Sequence, residues 1–320
     1  MKNMFKAFAL TTMLGLSLVM QASAQAAETV RVASSAAVCF CFLPAAFGTE
    51  LGIWEKYGIT VDLKSMAGDA RVQQAMVADA IDIGLGSGPG IGALSKGVPA
   101  KAVAAIMYRP AGMALITKPD SAIKSAADLK GKKIGVTTGG SLTEWLARRA
   151  GTGAGLALKD FQVVPLGDLS SNTAAMLSGS TDAMVYGSEA GFAMQVKGTG
   201  RVVATFDSIV PHFVAHTIFV TDKFRSQKPE LTKNFLKGWL EIITYMRNNK
   251  EATVDFASKQ LNLPKDVASM IYDVNLPQFT RDGQFPDAAL EILNESFVEL
   301  GILPAKVDVK ALIDTRFLPN

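Results

Sequence analysis

Short strand-like runs and longer helix-like runs take turns along this chain. Thr29 to Ala33 alternates apolar and polar residues and predicts a strand. Pro44 to Tyr57, ended by Gly58, predicts a helix, and Ile59 to Leu63 a second strand. Ala70 to Ala78 has helical spacing, and Ile81 to Leu85 predicts a buried strand running into the turn Gly86-Ser87-Gly88-Pro89-Gly90. Ala100 to Met107 is another strand. The scheme then repeats: strand Lys132 to Val136, turn Thr137 to Ser141, helix Leu142 to Ala150, strand Phe161 to Pro165, helix Ser170 to Leu177 and strand Ala183 to Tyr186. Strands alternating with helices predict parallel α/β sheets.

The two stretches share residues as well as rhythm. Gly68-Asp69, Ala75-Met76 and Asp82 match Gly167-Asp168, Ala175-Met176 and Asp182 at offsets of 99 or 100 residues. An apolar strand, Phe213 to Val220, follows, then helices at Pro229 to Asn248, Lys250 to Gln260, Pro264 to Tyr272 and Asp287 to Leu300. With the second unit as its own lobe, lobe I covers 28–115 plus 215–320 and lobe II covers 116–214. Two crossing segments near Leu115 and Ala215 then form a hinge. Ligands of open α/β sheets bind where the carboxyl ends of the strands meet.

Composition narrows this picture. The 320-residue chain is 49% hydrophobic and 19% charged, which suits packed structure, in two medium lobes better than one large core. Lys2 and Lys6, the apolar run Ala7 to Met20 and the small-x-small Ala22-Ser23-Ala24 read as a cleavable signal peptide, residues 1–24, without a following lipid-anchoring Cys. The expected location is therefore the periplasm. The net charge of +3 includes those two lysines, so the exported chain has no electrostatic footprint for nucleic acid. No G-x-S-x-G, H-E-x-x-H, P-loop or G-x-G-x-x-G is present, and two Cys and two His offer no zinc cage. Neither a catalytic residue nor a cofactor nor a metal is expected.

Several segments carry a family resemblance. "LPAAFGTELGIWEKYGITVDL", "ADAIDIGLGS", "ALSKGVPAKAVAAI", "KSAADLKGKKIGVTTGGS" and "TDAMVYGSEAG" occur in that order between Leu43 and Gly191. Together they resemble solute-binding proteins of ABC importers, in the nitrate, taurine and alkanesulfonate group with its pyrimidine-precursor relatives. The resemblance spans about Thr29 to Leu303. It implies an α/β, type II periplasmic binding fold with two Rossmann-like lobes. It further implies a monomer that closes on a small organic solute and delivers it to an inner-membrane ABC permease. The rival readings are an exported enzyme related to pyrimidine-precursor synthases, and a solute-sensing subunit.

The resemblance places ligand contacts after the strands: Ser34, Ser35, Ser87 and Gly88 in the first lobe, Thr137, Thr138, Gly139 and Ser141 in the second. Hydroxyls and free N–H groups at helix starts suit a ligand, and equally suit helix capping. Cys39 and Cys41, with Phe40 between them, depart from the family pattern. They read as buried thiols, as a Cys-x-Cys disulfide, or as a soft contact to ligand or metal, with Phe40 and Phe42 as an apolar wall. Glu189 is either a helix-start carboxylate or an acceptor for a ligand N–H, and Tyr186 either stacks on a ligand or packs. Arg109 offers bidentate recognition of an anion or is a solvated hinge residue. His216 either reaches the cleft or packs among apolar neighbours. The sequence permits an anion such as a carboxylate or sulfonate, or a neutral aromatic or heterocycle; the paired Phe residues lean towards a ring-containing or apolar organic acid.

Overall fold

Ten strands were found in the computed structural model, which describes residues 27–319; the expected signal peptide, 1–24, lies outside them. They are β1 Glu28–Ser34, β2 Ile59–Ser65, β3 Ile83–Ser87, β4 Ala100–Met107, β5 Met113–Thr117, β6 Lys133–Val136, β7 Gln162–Pro165, β8 Ala183–Gly187, β9 Arg201–Thr205 and β10 His216–Thr221. They form two five-stranded sheets, ordered β2-β1-β3-β10-β4 and β7-β6-β8-β5-β9. The plan is the same twice. In each sheet the fourth position holds an antiparallel strand that has just crossed from the other sheet, β10 in the first and β5 in the second. The expected α/β architecture is present.

The residue repeat has a structural meaning. Asp82 accepts the backbone N–H of Arg31 at 2.9 Å, and Asp182 accepts that of Lys133 at 2.8 Å. The reverse bonds, from each Asp N–H to the carbonyl of Arg31 or Lys133, are both 2.8 Å. Each Asp thus locks the start of the third strand of its unit to the first. Asp69 and Asp168 have diverged. Asp168 is exposed and caps the helix Leu169–Ser178 through the Ser171 N–H, whereas Asp69 is buried beneath Ser87. The residue matching Ser87 in the second unit is Gly187, so Asp168 has no hydroxyl to hold there.

The sequence pattern missed β5 and β9 and merged two helices. Pro44 to Tyr57 is divided into Leu43–Glu50 and Ile53–Lys56, because Gly52 adopts φ +66°. β5 is buried along its whole length. The crossing segments run between β4 and β5 and between β9 and β10, and they pair with each other. Phe213 N–H donates to Tyr108 O at 2.8 Å and Ala215 N–H to Met107 O at 2.9 Å.

The core also differs from the two separate ones expected. Buried apolar side chains run continuously from one sheet to the other, with one small cluster apart on a face of the second sheet, around Ile116, Met184 and Tyr186. The bridge lies where the halves touch. Trp145, on the helix Leu142–Gly153, stacks at 4.1 Å on Phe213 of the returning crossing. The halves are closed on each other.

Gly88 lies against that crossing: its N–H donates to Ala215 O at 3.1 Å, and a Cβ there would press into the carbonyl oxygen of Val214. Gly88→Ala should therefore cost about 1–3 kcal/mol in urea unfolding, as overpacking does. An unchanged midpoint would contradict this close approach.

Candidate functional site

The loops at the carboxyl ends of β1, β3, β6 and β8 meet the starting ends of β5 and β10. They line a partly open cavity of about 50 Å³ between the two sheets. At roughly 10–15 Å³ per water-sized probe, it has room for a few waters as it stands. Of the expected residues, Ser35, Cys39, Ser87, Thr137, Tyr186 and His216 line it. A larger depression of about 400 Å³, beside Glu28, Tyr57 and Lys228, sits at the outer edge of the first sheet, away from this convergence.

The remaining expected residues lie elsewhere. Ser34 is buried at the end of β1 and bonds its own loop, at Ala36 O. Phe40 is wholly buried, edge-on to Tyr272 and Phe279, because its ring fills the core behind the loop. Gly88 supports the crossing. Ser141 caps the helix Leu142–Gly153 by accepting the Glu144 N–H, and Gly139 is exposed in the turn before it. Thr138 faces Gly68 across the cleft. Arg109 is exposed and away from the cavity wall, since the crossing turns its side chain to solvent.

Sequence reasoning missed Asp69, the group that organises the first-sheet wall. Its carboxylate accepts the Ser87 N–H and the Ser87 hydroxyl, both at 2.7 Å. Burial pushes its pKa up, against the hydrogen bonds from Ser87 and Ser35 that favour the charged form. The internal repeat carried the signal, because Asp69 pairs with an exposed cap in the second unit. On the opposite wall, Thr137, Ser141 and the overlooked Thr143 close a triangle of hydroxyls at 2.8, 2.9 and 3.1 Å. These hydroxyls satisfy one another, which fixes the wall at the helix start.

His216 is 8% exposed and meets the edge of Phe42 at 5.4 Å; burial drives its pKa down to about 4, so the ring is neutral at pH 7. Its Nδ1 has no partner. Cys39 and Cys41 are joined as a disulfide beside it. Tyr186 is pushed up to about 12 by burial and stays protonated. Asp69, Ser87 and His216 are the residue types of a nucleophilic triad. Here, however, the hydroxyl donates to the carboxylate and the imidazole is bound to neither, so the Ser–His–Asp relay is not assembled.

Glu189 is not on the wall; it is the latch. It starts the helix Ser188–Val196 on the second sheet, and its Oε1 accepts the Phe40 N–H from the first half at 2.7 Å. A second set of cross-cleft contacts joins Trp145 Nε1 to Glu299 Oε2 at 2.8 Å and Arg149 to Glu295 and Glu299.

The family model described as NMT1/THI5 like matches residues 40–253, about two thirds of the chain. The chain belongs to the NMT1/THI5-like family. A Brucella abortus protein named only as a binding protein is 29% identical over 274 residues, covering 83% of this chain and 84% of that one. Among solved structures, this family member superposes on the alkanesulfonate-binding protein of Xanthomonas axonopodis bound to MOPS, at TM-score 0.78 and 16% identity, covering 89% and 98% of the two chains. It also matches the periplasmic aliphatic sulphonate-binding protein of Escherichia coli, at TM-score 0.72 and 21% identity over 90% and 92%. The periplasmic nitrate-binding protein of Synechocystis gives TM-score 0.75 and 17% identity over 90% and 86%. At these identities the likeness is one of fold, the periplasmic binding protein fold.

Burial, opposed by the Phe40 hydrogen bond, pushes Glu189 up to about 7 from its usual 4.5. The folded state thus holds a proton that the unfolded state releases between these values, so this group's contribution falls as pH rises from about 4.5 to 7. Relative to the wild type, Glu189→Gln should gain roughly 3 kcal/mol across that window, at about 1.36 kcal/mol per unit. Parallel stability–pH curves in denaturant titrations would show that Glu189 does not titrate there.

Proposed function

We propose that this chain is the periplasmic solute-binding component of an ABC importer. Lobe I, 28–115 plus 215–320, and lobe II, 116–214, close about the paired crossings on one small organic solute. The protein then presents the solute to an inner-membrane permease and performs no bond chemistry. Export through the cleavable leader 1–24 is part of this reading. The observation that carries it is the cavity at the converging strand ends of both sheets, the place where such sheets take ligands. The unassembled relay at Ser87 and the disulfide-bonded cysteines support binding over catalysis, and the Brucella relatives are named for binding.

The wall chemistry narrows the solute. No Lys or Arg lines the cavity, His216 is neutral, and a buried carboxylate, Asp69, faces in. An anion would meet that carboxyl group with no cation on the wall to offset its own desolvation. A small neutral ring bearing N–H donors would find acceptors at Asp69 and hydroxyls at Ser35, Ser87 and Thr137, with Phe42, Met113 and Leu142 around its faces. This replaces the organic acid that the paired Phe residues suggested from the sequence: Phe40 is buried in the core, and Arg109, the candidate cation, is exposed and off the cavity wall.

In a thermal-shift panel, N–H-bearing heterocycles such as pyrimidines should raise the melting temperature, while sulfonates, carboxylates and nitrate should not. Asp69→Asn should weaken the best binder about 10–100-fold, the scale of a charged hydrogen bond. Arg109→Ala should leave its affinity unchanged by calorimetry. Stabilisation by sulfonates alone would overturn the charge argument.

A further inference from the structure

One cluster in the cavity is unused by solute capture. Cys39 and Cys41 are linked by a disulfide, with Cα atoms 5.2 Å apart. Their sulfurs and a ring nitrogen of His216 all lie within 4.8 Å of one another. His216 is more than nine-tenths buried, shares the cavity wall with Cys39, and leaves Nδ1 without a partner. An unpartnered buried imidazole is costly, so its presence beside two sulfurs calls for a ligand.

We propose that, once the disulfide is reduced, Cys39, Cys41 and His216 form a three-coordinate site for one thiophilic d10 cation, Cu(I). A dithiol reductant supplies two electrons and two protons. The S–S bond breaks, two thiols form, and the reductant becomes a cyclic disulfide. Cu(I) then displaces both thiol protons to solvent and is held by two thiolates and the neutral imidazole. Soft thiolates select such a cation, and a structural Zn(II) site would ask for a fourth protein ligand. Among the described residues this cluster supplies three. Val38, Phe42 and Met113 line the same cavity and keep the surroundings apolar. The Cys-x-Cys spacing lets both sulfurs approach one ion from a single short turn, the 3₁₀ segment Phe40–Phe42 and its preceding residue.

This site goes beyond solute capture, and it is tested apart from it. Protein reduced with a dithiol and desalted without oxygen is titrated with Cu(I) against bathocuproine disulfonate, alongside the untreated disulfide form. Reduced protein should retain one equivalent and the disulfide form none. X-ray absorption should show two sulfurs and one nitrogen around copper. Cys41→Ser and His216→Ala should each lower affinity, Cys41→Ser by roughly 100-fold or more, since even outer-shell partners are worth 10–100-fold. Melting curves verify that each variant is folded, and the oxidised–reduced comparison needs no variant at all. Surrender of all Cu(I) to the chelator by folded, reduced protein would overturn the proposal. So would retention after both thiols are alkylated. The solute panel is run on the disulfide form, so failure of the copper site leaves that result standing, and the reverse.

Discussion

Two segments cross between the sheets side by side, hydrogen-bonded to each other, and the rest of the molecule is arranged around that pairing. Because β5 and β10 each enter the opposite sheet as its antiparallel fourth strand, neither half can be completed without the other's crossing. The exchange places the starting ends of β5 and β10 at the same rim as the carboxyl ends of the parallel strands. Met113 and His216 therefore join Ser87, Thr137 and Tyr186 around one cavity. The cavity follows from the topology. No single loop makes it.

What joins the two halves is modest, which suits the clamp proposed above. The Glu189–Phe40 bond is buried and charge-assisted when Glu189 is ionised, but desolvation of that carboxylate offsets much of the gain. The Arg149 pairs with Glu295 and Glu299 are about a third exposed, a setting in which ion pairs contribute about 0–1 kcal/mol. Trp145 on Phe213 adds apolar contact beside the paired crossings. A solute worth a few kcal/mol is enough to shift such a balance.

The fold was largely legible because its signal is periodic. Strand-like runs between helical ones mark eight of the ten strands, and the Asp82/Asp182 match carries the duplicated plan in the sequence itself. β5 and β9 go unmarked, and full burial is not the reason, since β3, β8 and β10 are buried along their whole length and are marked. The site was less legible. Residue type and position after a strand identify a rim, but not which side chains turn inward. Ser141 and Thr137 are four residues apart, yet one caps a helix and the other faces the cavity. Arg109 had the right chemistry on a backbone that points it outward. Asp69 looked like an ordinary helix start, and only the contact with Ser87, eighteen residues on, gives it its place.

The central claim is that solute capture closes two halves that otherwise part. Spin labels at Lys64→Cys on the first sheet and Lys159→Cys beside the second give the most direct reading, in the disulfide form, by pulsed electron resonance. The account predicts a broad, longer distance distribution without solute. With the compound that raises the melting temperature, it should collapse to the single short distance of the closed form. Identical distributions with and without that compound would contradict the account.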